Sequence, residues 1–376
     1  MILVTLFWIG VAGVLYPYFG YPLLLWVLGK VVGRQDTAVA GEALPRISMI
    51  IPVHNEASRV GRKIVNTAAL DYPAERLEVL WISDGSTDDT VPLIRASATP
   101  AMRIVELAER GGKAAALNAG LANASHEVLV FSDASIELEP GSLRQIVRRF
   151  QDPAIGCISG EDRIAGSGGE AMYGRYELLL RRLESDVHSI VGASGSFYAQ
   201  RKAICAPFTE GHAPDFLSVL RTVEQGYRAV TEANAVGSMT SVKDPRQEFE
   251  RKVRTLIRGL TTLFAHAGVL NPFRHGLFAF EMVSHKLMRW LAPVFLLIVL
   301  LAPIGLLGSP FYLAAFVAQV AFYVIALGAL WQIAGLHRLF VGKLALYFAS
   351  VNLAILVAWV RYSQGVRQEL WTPSHR

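Results

Sequence analysis

Apolar positions in this chain are segregated into long uninterrupted runs near its two ends and short, spaced runs between them. Residues 1–29 contain no Asp, Glu, Lys or Arg, and neither do the 48 residues from Trp290 to His337. A helix crossing a bilayer needs about 20 apolar residues, more unbroken length than a soluble core helix uses. The first run predicts a transmembrane helix over 1–29, bent by Pro17 and Pro22. Three more spans are predicted at Leu291–Leu307, Phe311–Leu336 and Phe340–Val360, together covering 291–360. Gly308, Ser309 and Pro310 supply a tight reversal between the first two of these. His337, Arg338 and Lys343 mark the opposite turn.

The first run lacks the basic start and small-residue cleavage site of a secretory leader, which predicts a retained anchor. Lys30 and Arg34 at its far end predict a cytoplasmic location for that end and for the domain after it. Counting spans places the C-terminal tail, 361–376, outside, whereas Arg361, Arg367 and Arg376 favour the inside.

After a polar linker from Gly33 to Pro45, residues 46–245 read as a soluble α/β domain. Strands are predicted at Ile47–Val53, Leu77–Ser83, Met102–Leu107 and Glu127–Ser132. Helices are predicted between and after them at Ser58–Leu70, Asp88–Ala96, Lys113–Ala124 and Gly141–Phe150. Near-continuous apolar strands separated by amphipathic helices indicate a mostly parallel sheet covered on both faces. Such sheets bind ligands at the carboxyl ends of their strands. Further on, helices are expected at Glu170–Ile190 and Pro214–Gly226, with strands at Gly195–Gln200 and near Tyr227–Glu232. Residues 246–290 read as a basic amphipathic helix, Arg246 to Phe264, and an aromatic, basic stretch lying along the membrane surface.

Composition sharpens this picture. The chain is 52% hydrophobic, 18% charged and carries a net charge of +5. Much of that excess flanks the apolar runs or lies in the one basic helix, so membrane lipids explain it and nucleic acid is not required. Two cysteines, Cys157 and Cys205, make no disulfide framework and fit a reducing compartment.

Candidate chemistry sits where the strands end. The first strand leads into Pro52-Val53-His54-Asn55-Glu56 with no GxGxxG after it, which argues against a dinucleotide turn. The second ends at Asp84-Gly85, before the residues that would cap the next helix, so capping does not account for Asp84. Its carboxylate could accept hydrogen bonds from a base or a ribose. The fourth ends at Asp133, where an acid can hold a divalent cation against a diphosphate. Gly111-Gly112-Lys113 and Asn118 add flexible backbone, a cation and an amide beside the same crevice. Asp215, after Pro214, reads equally as a helix-start carboxylate or a general base. Arg251, Arg254 and Arg258 share one helix face and suit either lipid headgroups or a diphosphate. His285, Lys286 and Arg289 read as headgroup anchors, with a grip on the phosphates of a lipid-linked acceptor as the alternative.

In order along the chain, Ile51-Pro52-Val53-His54-Asn55-Glu56, Asp84-Gly85-Ser86-Thr87-Asp88, Gly112-Lys113-Ala114 to Asn118-Ala119-Gly120, Ser132-Asp133-Ala134-Ser135, Gly192 to Arg201, and Asp215 with Gly226-Tyr227-Arg228 form a distinctive set. With that set the chain resembles membrane-bound glycosyltransferase family 2 enzymes of bacterial polysaccharide assembly. The resemblance implies a Rossmann-like GT-A catalytic domain plus transmembrane helices at the bacterial inner membrane, with the domain cytoplasmic. It implies a UDP- or GDP-sugar donor, a Mg²⁺ or Mn²⁺ ion and inversion at the anomeric carbon. Pro52, Glu56 and Asp84 would line the nucleoside pocket, Asp133 would serve the metal and diphosphate, and Asp215 would be the base. Lys113, Asn118 and Arg254 would assist donor binding.

Three departures from the family's pattern bear on function. Ser135 stands where a second metal carboxylate is usual, and Pro214 stands where an acid often precedes the base. Of the Gln-x-x-Arg-Trp signature of processive enzymes, Arg251-Lys252-Val253-Arg254-Thr255 keeps only the arginine. The leading expectation is a non-processive enzyme that adds a sugar to a lipid-linked saccharide. A processive synthase and a catalytically inactive assembly scaffold are the alternatives.

Overall fold

Alternate residues of Ile47–Val53 enter two different apolar cores, as the two-residue period of a strand buried on both faces requires. Ile47, Met49, Ile51 and Val53 join the core under one set of helices, and Ile50 joins the core under the other. The computed structural model describes residues 1–33, 44–97, 99, 101–164, 169–240 and 244–367. Arg34, most of the expected linker, and the tail beyond Arg367, Arg376 included, lie outside the described residues.

The elements run α1 (Ile2–Leu15), α2 (Tyr21–Val32), β1 (Ile47–Val53), α3 (Ala57–Ala68), β2 (Leu77–Asp84), α4 (Thr90–Ala96), β3 (Met102–Leu107) and α5 (Gly112–Asn123). They continue β4 (Val128–Ser132), β5 (Glu137–Leu138), α6 (Ser142–Arg148), β6 (Ile155–Ile164), α7 (Gly169–Val187), β7 (Phe197–Arg201) and α8 (Pro214–Glu224). Last come β8 (Arg228–Met239), α9 (Pro245–Ala265), α10 (Pro272–Met282), α11 (Met288–Leu301), α12 (Pro310–Leu330) and α13 (Phe340–Ser363).

One sheet in the order β3-β2-β1-β4-β7-β6-β8-β5 organises the domain. The β3-β2-β1-β4 half is parallel, and β7 then runs antiparallel to both β4 and β6. Strand β6 had no counterpart among the predicted elements. Its Gly156, Ser159 and Gly160 interrupt the apolar run, yet the strand is buried because β7 and β8 flank it. Strand β8 also extends well past Glu232, to Met239.

Four helical stretches are long and apolar enough to cross a membrane: Ile2–Val32, Pro272–Leu306, Pro310–Leu330 and Phe340–Ser363. The first contains a π-helical turn at Tyr16–Gly20. Pro22 has no N–H for the carbonyl one turn back. The Tyr176 hydroxyl of α7 donates to that carbonyl, Tyr18 O, at 2.9 Å, so the break in the ladder is met from the α/β domain. The second stretch begins at Pro272, ahead of the span expected from Leu291. Helix α10 runs through a π turn at Val283–Leu287 directly into α11. Glu281, His285 and Arg289, spaced four apart on one face, are all buried. The core on the α5, α8 and α9 side of the sheet continues through Phe278, Met282 and Trp290 to Ala354 and Ala358 of α13. The apolar helices therefore pack on the domain directly.

Candidate active site

The carboxyl ends of β1 and β2 are locked to each other before any ligand is considered. His54 Nδ1 donates to the Asp84 carbonyl at 2.6 Å, and Asn55 Oδ1 accepts the Thr87 N–H at 2.8 Å. Asn55 takes a left-handed φ of 52°, which Asn tolerates better than most side chains. The Glu56 N–H donates to Thr90 Oγ1 at 2.8 Å, and its buried carboxylate lies 3.3 Å from the Arg59 guanidinium. Pro52 is buried inside β1, opposite Ile82.

Asp84 is fully buried, and its carboxylate is given to the start of α5. Oδ1 accepts the Gly111 N–H at 2.7 Å, and Oδ2 accepts the Gly112 N–H at 2.9 Å. A carboxylate at the positive end of a helix is favoured electrostatically and satisfies amides that the helix leaves open. Asp84 therefore sets where Lys113 begins. Lys113 Nζ in turn lies 2.6 Å from Asp133 Oδ1 and donates to the Gly195 carbonyl at 3.1 Å. The Asp133 N–H donates to Ser196 O at 2.9 Å. The start of α5, the end of β4 and the loop before β7 thus meet at one point.

Beneath that point lies a residue that the sequence pattern did not single out. Lys63 of α3 is buried, with Nζ donating to Ser132 Oγ at 2.8 Å and to the Ile136 carbonyl at 2.7 Å. Burial pulls its ammonium down to about 7, with Asp133 and Glu137 acting in the opposite sense. The side chain props up both ends of the Asp133-Ala134-Ser135 turn.

Asp215 enters from the other side. Pro214 and Asp215 open α8, and the Ala213 N–H donates to Thr262 Oγ1 of α9 at 2.9 Å. The Asp215 carboxyl packs against Gly195, where an added Cβ would stand 3.8 Å from its carboxyl carbon. Gly195 is therefore shared: its carbonyl takes Lys113, and its α-carbon faces Asp215. Across from Asp215, burial and the neighbouring Arg254 bring Arg258 down to about 10, while Asp215 pulls it up. Arg254 is lowered too, by burial and by Arg251. Arg251 itself is held in a two-pronged pair with Glu248, at 2.7 and 2.8 Å. Of the arginine stripe, Arg258 is the member that Asp215 acts on directly, and Arg254 adjoins Arg258.

Asn118 requires a correction. Its amide donates to Phe208 O at 2.9 Å and accepts the Phe208 N–H at 2.6 Å. Both ends are used to hold the 205–213 loop that leads to Asp215, not to line the crevice. His285 and Arg289 are likewise not headgroup anchors. His285 Nδ1 donates to Glu184 Oε1 at 2.6 Å, and Arg289 pairs with Glu177 beneath the rings of Tyr18, Tyr173 and Tyr176. These partners come from α7 and the first apolar helix, so no local signal in the sequence could reveal them.

Among the described residues, no three His, Cys, Asp or Glu side chains cluster as metal ligands. Asp133 with the Ser135 hydroxyl offers a partial set of hard oxygen donors. That set fits a divalent cation that takes the rest of its shell from a diphosphate and water. A cavity of about 390 Å³ between β6 and α7, reached by Asp162, Arg175 and Arg182, contains none of the residues predicted for the site.

Residues 48–204 match the model of the family described as Glycosyl transferase family 2. The chain carries a family 2 glycosyltransferase domain. The chain is 30% identical over 165 residues to a poly-beta-1,6-N-acetyl-D-glucosamine synthase of Staphylococcus aureus, covering 43% of this chain and 38% of that protein. It is 26% identical over 170 residues to a beta-monoglucosyldiacylglycerol synthase of Synechocystis, covering 42% and 35%. The chain thus aligns with well under half the length of these curated relatives. A mannosyltransferase from Pyrobaculum calidifontis, solved with GDP-Man and Mn²⁺, superposes with a TM-score of 0.72 at 24% identity. The match covers 96% of this chain and 99% of that one. The family 2 domain accordingly has the GT-A fold, and the likeness extends through the apolar helices.

Proposed function

We propose that this chain is an inverting glycosyltransferase that moves a sugar from a UDP- or GDP-sugar to a hydroxyl of a lipid-linked saccharide. The observation that carries the reading is the sharing of Gly195. A potential base, Asp215, lies on one side of that residue, and the Lys113–Asp133 pair lies on the other. A sugar seated against this loop would have its acceptor face toward Asp215 and its diphosphate toward Lys113 and Asp133.

In the reaction, Asp215 takes the proton of the acceptor hydroxyl as that oxygen attacks C1 of the donor sugar. The bond from C1 to the diphosphate oxygen breaks, and the nucleoside diphosphate leaves with the electron pair. Attack opposite the leaving group inverts the anomeric centre. A positioned base of this kind contributes about 10²–10⁴ in rate. Lys113, Arg254 and Arg258 face the charge that develops on the leaving group. A divalent cation, Mg²⁺ or Mn²⁺, supplies further neutralisation of the diphosphate when bound, with Asp133 and Ser135 as its protein ligands. Pro52, Glu56 and Asp84 form the wall beside the nucleoside, with Asp84 acting through the Gly111-Gly112 turn. The four apolar helices bring this site to the membrane, where a lipid-borne acceptor is delivered. We place the domain on the cytoplasmic face of a bacterial inner membrane, where nucleotide sugars are made.

A processive reading is favoured by one observation, the similarity to a protein named as a polysaccharide synthase. Product length separates the two. Native membranes holding the full chain, which carry the cell's own lipid-linked acceptors, are incubated with a panel of labelled UDP- and GDP-sugars. Label entering organic-extractable lipid as a single-sugar increment supports the proposal, whereas a polymer ladder overturns it in favour of the processive reading. Absence of transfer from every donor favours an inactive scaffold.

A further inference from the structure

Lys286, between His285 and Arg289 in sequence, carries its ammonium to the Gly192–Gly195 loop, within reach of the charges of both Glu177 and the candidate base Asp215. A Cβ added at Gly192 would stand 3.2 Å from Lys286 Nζ, so the bare glycine is what admits the ammonium. The same ammonium lies 5.1 Å from the centre of the Phe216 ring, the residue after Asp215, and is attracted by Glu177 and, less strongly, by Asp215. Among the described residues it makes no hydrogen bond and no ion pair. Its host is the Pro272–Leu306 stretch, one of the four apolar enough to span a membrane.

A cation on such a stretch is costly and is retained where it meets a partner or a substrate. The nearby carboxylate Glu177 is engaged by Arg289 and His285. Lys113 already grips the far end of the same loop, at Gly195, together with Asp133. The loop thus meets Lys113 at Gly195, on the side of the donor motif, and Lys286 at Gly192, on the side of the membrane helices, while Arg181 donates to the Ala193 carbonyl between them at 3.4 Å.

We propose that Lys286 is an acceptor-binding residue that seats a phosphate of a lipid-linked acceptor beside the reacting hydroxyl. The acceptor is accordingly anionic, a lipid whose phosphate adjoins the sugar that carries this hydroxyl. Arg258, whose charge Asp215 also feels, reinforces the positive field there. The inference rests on the proposed transferase reading but is tested by binding, so the two can fail separately.

The full chain is placed in phosphatidylcholine nanodiscs and titrated with farnesyl diphosphate and with farnesol. The wild type is expected to bind the diphosphate at least about tenfold more tightly than the alcohol, the scale of a charge-assisted contact. Lys286→Met should erase that difference, Lys286→Arg should keep most of it, and Gly192→Ala, which crowds the ammonium, should reduce it. UDP and GDP affinities should stay within about twofold in all three variants, which also shows that they are folded. Equal binding of diphosphate and alcohol by the wild type overturns the proposal, as does a preference that survives Lys286→Met. Weakened UDP or GDP binding alone would make Lys286 a donor residue, also against the proposal. Displacement of farnesyl diphosphate by added phosphatidylglycerol, or by inorganic pyrophosphate at equal concentration, would reveal a general headgroup or anion site and overturn it equally.

Discussion

Lys113 Nζ stands 2.6 Å from Asp133 Oδ1, so the carboxylate proposed for the metal is already held by a cation of the same site. Metal and ammonium compete for this one carboxylate, because Ser135 supplies no second negative charge. Chelation of divalent cations should silence sugar transfer, and Mn²⁺ or Mg²⁺ should restore it. Asp133→Asn should lose about 10²-fold or more in kcat/KM. Lys113→Met should lower kcat yet reach half-maximal activation at a several-fold lower Mn²⁺ concentration. Initial rates against free Mn²⁺ check both, and an unchanged activation midpoint in Lys113→Met would remove the competition.

Lys63 predicts an unusual dependence of stability on pH. In the unfolded chain a lysine keeps its proton to about 10.4, whereas burial makes folded Lys63 release it near 7. Between those values the unfolded state holds more protons, so stability rises with pH in that window. Below about 7 both states are charged and this dependence vanishes. Lys63→Met lacks the titration. The melting temperature of the wild type relative to Lys63→Met should therefore climb from pH 7 to pH 10 and be level below pH 7. A difference that stays flat throughout would contradict the buried ammonium.

Asp84 is predicted to act through backbone amides. Asp84→Asn would bring an NH₂ group to the place of Oδ2, 2.9 Å from the Gly112 N–H, donor against donor. The cost of leaving such a buried group unpaired is about 1–3 kcal/mol. Thermal melting should show that loss, and UDP and GDP affinity should fall with it because the Gly111-Gly112 turn positions Lys113. A fully stable variant with normal nucleotide affinity would exclude this role.

The half of the fold that reads easily from the sequence is the half with uniform apolar strands. Strands β1, β2 and β4 stand out because each is a mostly apolar run ended by a turn carrying Asp, Gly or Asn, whereas β3 carries Arg103 and Glu106 within it. The location of Asp84 and Asp133 at strand ends follows from that alone. Strand β6 does not stand out, since Gly156, Ser159 and Gly160 dilute its pattern and its burial comes from strands distant in sequence. The partners of polar residues are equally hidden. Nothing local distinguishes Lys63 from a solvated helix lysine, or Asn118 from a crevice amide. His285 and Arg289 look like interface anchors until Glu177 and Glu184, about a hundred residues earlier, are brought against them.

Asp215 is predicted to act in the chemical step alone. Asp215→Asn preserves shape and the neighbouring Gly195 contact but cannot take a proton. Its kcat should fall by about 10²–10⁴, with UDP and GDP affinity little changed. Retention of turnover within a few-fold of the wild type would displace Asp215 as the base, and the shared-loop argument with it.

The buried cluster under the site should behave as one cooperative unit that fixes the domain to its apolar helices. Glu184 is fully buried; its Oε1 accepts from the Tyr21 hydroxyl at 2.8 Å and from His285, and its Oε2 accepts the Val191 N–H at 3.2 Å. Tyr21 belongs to the first apolar helix and His285 to the second, so a single carboxylate of α7 joins both. Removing one member of a buried charged set leaves the others unpaired, at about 3–5 kcal/mol. Glu184→Gln should therefore lower the melting temperature of the full chain in detergent sharply. Tyr21→Phe, which deletes one hydrogen bond and keeps the ring, should cost only about 1 kcal/mol. Groups sharing one network do not contribute additively. The double variant Glu184→Gln, His285→Gln should thus lose less stability than the sum of its two single variants. Strict additivity would mean that the two residues stabilise the fold independently, and the idea of a single joint between domain and helices would have to be abandoned.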